Sequence, residues 1–278
     1  MSGEKVKSRL AFLDLLRGWA VLVMIEVHVF NAVILPELKS AGWFTVLNYI
    51  NGLVAPSFIF ISGFVFILAS QKKLESFRTY GTAFWKQLGR IGLIWVVGYF
   101  LHLPTFSFRT MFTQTDEIGW LKFYQSDVLH CIALGLLILF ILRLWIRSDR
   151  LYQNFLLFGG IGIIILAPFL GDIDFLRYLH PSMAAYLNGL HYSIFPVFPW
   201  MAFMLAGGFA ATLFGEARRT KRVDGYFKNL LIFGFIFILG GGALRWFSIT
   251  IPFASLNIRY DPFFFIERLG VVLLLLWI

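Results

Sequence analysis

Residues Leu13–Asn31 read LDLLRGWAVLVMIEVHVFN, an apolar run of membrane length with Asp14, Arg17, Glu26 and His28 inside it. Ionisable side chains are costly in hydrocarbon, so inside a span they mark a functional site or a paired structural one. Arg17 and His28 are eleven residues apart. At 100° per residue both fall on one helix face, roughly 16 Å apart along the axis. Asp14 lies within about 60° of that face, whereas Glu26 points nearly half a turn away from His28. The result is a polar stripe of Asp, Arg and His along an otherwise apolar helix.

The rest of the chain agrees with lipid as the solvent for most side chains. Of 278 residues, 59% are hydrophobic, 19% aromatic and only 14% charged, with 33 Phe and 9 Trp. Soluble globular domains are more polar than this. The net charge of +9 fits a Lys/Arg excess on cytoplasmic loops better than a nucleic-acid surface. A single cysteine, Cys131, excludes an intrachain disulfide and reads as a small buried side chain.

Eight apolar segments are long enough, or nearly so, to span a bilayer. They run over about 10–35, 47–70, 84–103, 128–146, 155–170, 194–214, 230–247 and 263–278, the fifth short and glycine-rich. This predicts an all-α polytopic bundle forming one domain over residues 1–278. The basic N-terminus followed by an apolar run resembles a signal peptide, but Asp14 and Arg17 interrupt that run, so the first span is read as uncleaved. The ending RLGVVLLLLWI carries no closing polar residue, and a truncated piece of a longer protein is expected.

Charge alternates along the loops. The N-terminal tail and the second, fourth and sixth loops are basic, with Lys72, Lys86 and Arg90 in or beside the second. The first, third and fifth are balanced or acidic. The alternation places the N-terminus in the cytoplasm. Arg17 then lies toward the cytoplasm and His28 toward the far face, and all five histidines sort to the outer half.

Candidate chemistry follows from that polarity. Imidazole exchanges a proton near neutral pH, so His28 is a candidate general base. Arg17 suits an anionic group such as a phosphate, with Asp14 holding Arg17 or capping the helix. Asp127 and His130 lie one turn apart, where a carboxylate orients an imidazole. Arg245 ends the seventh span, and Glu267 and Arg268 open the eighth. Asn31 sits one turn beyond His28. For each of these a purely structural pairing is the competing reading. In Asn51–Gly63, NGLVAPSFIFISG, a proline and small residues allow close helix approach or a local break. Pro196 and Pro199 mark the outer start of the sixth span. The sequence contains no P-loop, GxGxxG, GxSxG or HExxH signature, and no metal is expected.

LDLLRGWAVLVMIEVH resembles the opening of integral-membrane acyltransferases of the acyltransferase-three superfamily, which carry Leu-Asp-x-x-Arg-Gly and a histidine ten intervening residues after the arginine. Asp14, Arg17, Gly18 and His28 match. GLVAPSFIFISGFVF, DVLHCIALGLL, FPVFPWMAFMLAGG and ERLGVVLLL resemble the bacterial relatives of the heparan-α-glucosaminide N-acetyltransferase catalytic domain, in the expected order. The resemblance implies transfer of an acyl group, acetyl first, from cytosolic acyl-CoA to a hydroxyl or amine of an extracytoplasmic sugar or glycan. His28 would be the base, supported by Asp14 and Arg17. Arg17, Lys72, Lys86 and Arg90 would bind the CoA phosphates. Asn31, Asp127, His130, Arg245, Glu267 and Arg268 would face the acceptor. The implied location is the cytoplasmic (inner) membrane, and a homodimer is compatible. The alternative is a transporter or flippase for a lipid-linked sugar or small acid, using His28 as a proton relay.

Overall fold

The computed structural model describes residues 10–250 and 260–277, with the side chains of 248–250 outside the description. The described residues contain helices and no strand. In chain order they are α1 (Ala11–Val33), α2 (Gly42–Asn51), α3 (Val54–Gln71), α4 (Leu74–Arg78), α5 (Thr82–Leu101), α6 (Phe108–Gln114), α7 (Glu117–Tyr124), α8 (Val128–Trp145), α9 (Asp149–Gly171), α10 (Pro181–Leu187), α11 (Val197–Arg219), α12 (Val223–Thr250) and α13 (Pro262–Trp277). The structure is the helical membrane bundle that the composition predicts. The tail cations Lys5, Lys7 and Arg9 lie outside the described residues, as does Ile278.

Five helical stretches have the length and composition to cross a membrane: Gly42–Gln71, Val128–Trp145, Asp149–Gly171, Val197–Arg219 and Val223–Phe247. The other three expected spans form α1, with Asp14, Arg17 and Glu26, α5, with Lys86 and Arg90, and the 16-residue α13. The expected second span is divided at Gly52 and Leu53 into α2 and α3. The expected short fifth span is a 23-residue helix, because Ser148 caps it well before the apolar run starts, accepting from Leu151 N. At that turn buried Arg143 pairs with Asp149 and lies 4.9 Å from the Tyr152 ring centre, tying the end of α8 to the start of α9.

Glycine lets the central helices touch backbone to backbone. A Cβ on Gly63 of α3 would stand 2.1 Å from the Met204 carbonyl oxygen, and one on Gly207 of α11 would stand 2.0 Å from that of Phe60. The two helices therefore meet at a reciprocal pair of small residues, the close approach expected of membrane helices. α12 and α13 do the same: a Cβ on Gly270 would lie 2.7 Å from Gly234 O, and one on Gly241 would lie 2.7 Å from Glu267 N. Around the α3–α11 pair the core closes with Phe60, Phe64, Phe203 and Phe265, each almost wholly buried. α8 and α9 pack on this pair, α5 packs on α8, and α1 packs against α2, α3 and α13.

Candidate active site

Polar side chains gather at three places. The first is α1. The helix turns Leu13, Leu16 and Ala20 into the core and leaves Asp14, Arg17, His28 and Asn31 exposed on its other side. Its unbroken course keeps Arg17 and His28 on one face, roughly 16 Å apart. The expected support from Asp14 does not form among the described residues. The N-cap is Leu10, with no side-chain cap bond, and Asp14 makes no ion pair with Arg17. The polar residue of α1 that turns into the bundle is Glu26, the one off the stripe. With its amide nitrogen toward the carboxylate, Asn51 donates to Glu26 Oε2 (2.8 Å) and to Leu47 O (3.2 Å).

The second cluster joins α2, α12 and α13. Tyr49 Oη donates to Glu267 Oε1 at 3.0 Å, and Arg245 Nη1 donates to Glu267 Oε2 at 3.2 Å. Asp261 Oδ2 lies 3.8 Å from Arg245 Nε, and its other oxygen caps α13 through Phe263 N at 2.9 Å. Arg268 lies over the Tyr49 ring, 3.9 Å from its centre, and donates to the Tyr49 carbonyl. Gly52 makes room for it: a Cβ there would stand 3.2 Å from Arg268 Nη1. The break between α2 and α3 is therefore also the seat of a guanidinium. Glu267 and Arg268 do not pair with each other as their adjacency suggests. Successive helix positions diverge by 100°, and each finds a partner on another helix.

The third cluster sits where α5 ends and α8 begins. Asp127 is the N-cap of α8, with Oδ1 accepting from Leu129 N (2.9 Å) and His130 N (3.1 Å). The same oxygen is 2.8 Å from His130 Nδ1, and Oδ2 is 3.0 Å from His102 Nε2. A short contact to a carboxylate requires a proton on the imidazole nitrogen, so each ring donates to Asp127. His102 Nδ1 is then free to accept from Gln125 Nε2, 3.2 Å away. His130 Nε2 is buried and has no partner among the described residues. The His130 ring is wholly buried and lies against α5 where Gly98 has no side chain; a Cβ there would meet His130 Cε1 at 2.9 Å. Burial raises the Asp127 pKa. The hydrogen bonds from the His130 side chain and backbone, with the two imidazoles close by, outweigh it and hold the carboxyl below its usual range.

His102, Asp127 and His130 are also the three residues whose donor atoms, all within 4.8 Å of one another, are close enough to share a metal ion. Two imidazoles and a carboxylate suit a transition metal. In the arrangement seen, the carboxylate accepts one hydrogen bond from each ring.

Of the residues expected to face the acceptor, Asp127 and His130 lie in one cluster, on α5–α8, and Arg245, Glu267 and Arg268 in another, on α2–α12–α13. Among the described residues the two share no hydrogen bond or ion pair between their side chains. Lys72, Lys86 and Arg90 are exposed and share no ion pair among the described residues. His180 and His191 serve the loops. His180 caps α10 through Ser182 N, and His191 Nε2 lies 2.8 Å from Asp174 Oδ1. Cys131 is buried in the core. Tyr49, Asp261 and Gln125 join these clusters without having been expected there. Their one signal in the sequence is a place near the end of a predicted span.

Residues 9–252 match the family model of the heparan-alpha-glucosaminide N-acetyltransferase catalytic domain. The chain belongs to this family. No curated protein and no solved structure matches it. The family is one of acetyltransferases, and the match covers all the described residues of the first and third clusters. Arg245 falls within it, whereas Glu267 and Arg268 lie beyond its end.

Proposed function

We propose that the chain moves an acyl group, acetyl by preference, from acyl-CoA on the cytoplasmic side of the cytoplasmic membrane to a hydroxyl or amine of a sugar or glycan on the other side. The N-terminus is cytoplasmic in this reading, as the loop charges indicate. The observation that carries it is the single face of α1 bearing Asp14, Arg17, His28 and Asn31, with no core packed over it. A helix face with this chemistry is not turned to hydrocarbon. It suits the wall of a polar path, with an anion-binding end at Arg17 and a chemical end at His28.

In this reading Arg17, with Lys72, Lys86 and Arg90 on the same side, attracts the CoA phosphates. The pantetheine arm runs along the stripe and brings the thioester near His28. The acceptor O–H or N–H gives its proton to the His28 imidazole as the acceptor atom attacks the thioester carbonyl carbon. The tetrahedral oxyanion collapses, the C–S bond breaks, and the CoA thiolate takes the proton back. Asn31 and the Tyr49–Glu267–Arg245–Arg268 cluster are assigned to the acceptor, because α2 and α13 pack against α1.

A second base is favoured by one observation. Asp127 holds His130 by Nδ1 and leaves Nε2 without a partner among the described residues, the arrangement that orients a catalytic imidazole. In that version Asp127 and His130 act on the acceptor from the α5–α8 side. Labelled acetyl-CoA, a panel of hydroxylated and aminated sugars, and the variants His28→Ala and His130→Gln separate the two. Loss of transfer in His28→Ala alone supports the α1 reading, and loss in His130→Gln alone supports the other. Movement of a sugar or acid across the membrane without thioester consumption would favour a transporter and overturn both.

A further inference from the structure

A groove of about 950 Å³ is bounded by α9, α11, α12 and α13. Its walls are apolar along most of their length, with Ile161, Ala206, Phe209 and Phe233 among them. It follows α11 from Ala202 to Thr220, about 27 Å at the helical rise and longer than the ~15 Å of one leaflet. α9 and α12, its two rims, are largely unburied in the bundle, so the groove opens sideways into the bilayer.

One end is polar. Thr220, Arg222, Asn229 and Glu216 line it. They belong to the turn between α11 and α12, where Arg218, Arg219, Lys221, Arg222 and Lys228 face only Glu216 and Asp224. Just inside this mouth stands Tyr226. Its side chain is 7% exposed, it lines the groove, and its hydroxyl has no hydrogen-bond partner among the described residues. A buried hydroxyl without a partner is costly, and Tyr226 lines the groove four residues from Arg222.

We propose that the groove is a binding site for an anionic glycerophospholipid of the leaflet that meets this basic turn. One acyl chain lies along α11, the phosphate sits at Arg222 and its neighbouring cations, and the Tyr226 hydroxyl donates to an ester or phosphate oxygen. Charge complementarity at the mouth selects an anionic headgroup over a zwitterionic one. The apolar slot, open to the bilayer, selects a lipid over a water-soluble anion.

The test uses the full chain in nanodiscs containing equal amounts of phosphatidylglycerol and phosphatidylcholine, each with a photoactivatable acyl chain. Adducts from phosphatidylglycerol are expected on α9, α11 and α12 within the groove. Native mass spectrometry should show phosphatidylglycerol retained over phosphatidylcholine. Arg222→Gln and Tyr226→Phe should each reduce that retention roughly five-fold while leaving the melting temperature unchanged. Equal retention of the two lipids would overturn the proposal. So would adducts spread around the whole perimeter, displacement of the adduct by acyl-CoA, or burial of the groove against a second copy of the chain.

Discussion

The Asp127 carboxylate lies 2.8 Å from His130 Nδ1 through one oxygen and reaches His102 through the other, so one side chain joins the end of α5 to the start of α8. It also caps α8. Replacing Asp127 by Ala removes the cap and leaves two imidazole N–H groups without their acceptor. A loss of about 2 kcal/mol is expected, read as a lower melting temperature in detergent.

The same residue gives stability a pH dependence of known sign. Folded, its carboxyl is held below the ordinary value, which is near 3.9 in an unfolded chain. The contribution is therefore complete above that ordinary value. It is lost as pH falls from there through the folded pKa, because protons bind the unfolded chain first. Thermal melts between pH 3 and 7, on the scale of that pKa, should show an acid limb that is shallower in Asp127→Ala.

The reciprocal contact of Gly63 and Gly207 predicts a sharp contrast among glycines. A methyl at Gly207 would stand 2.0 Å from a backbone oxygen, whereas one at Gly18 meets nothing within 4 Å. Gly207→Ala should force α3 and α11 apart at a cost of about 3 kcal/mol, with poor membrane yield and early aggregation on size exclusion. Gly18→Ala should leave both unchanged.

Glu267 takes hydrogen bonds from Tyr49 and Arg245 on two other helices. Glu267→Ala removes the acceptor of both hydrogen bonds and should destabilise the protein by about 1–3 kcal/mol. Glu267→Gln keeps the shape and one acceptor and should recover part of that. If the cluster binds the acceptor, Glu267→Gln raises KM for the acceptor and leaves KM for acetyl-CoA unchanged.

Much of the fold was legible because membrane length and hydropathy are local properties. All eight apolar segments correspond to described helices, and the Gly63 close approach was readable from the small residues around it. The break at Gly52 was readable only as an option, since it depends on Arg268 reaching back from α13. The site was less legible. Helical periodicity placed Arg17 and His28 on one face, but it could not say which face the core would cover, and Glu26 went inward to Asn51. His102 meets Asp127 across the α6–α7 excursion, 25 residues on, and no spacing rule spans such a loop. Glu267 and Arg268 are neighbours in the sequence, but neighbours on a helix point apart, and their adjacency gave no sign of the separate partners each finds.

The claim that most needs testing is the division of labour along α1. Transfer from labelled acetyl-CoA should be measured for the full chain, His28→Ala and Arg17→Gln, over a range of acetyl-CoA concentrations. The account predicts that His28→Ala lowers kcat by at least ~100-fold with little change in KM for acetyl-CoA. It predicts that Arg17→Gln raises that KM by roughly ten-fold or more. Transfer at the full rate in His28→Ala, or a KM unmoved in Arg17→Gln, would contradict it.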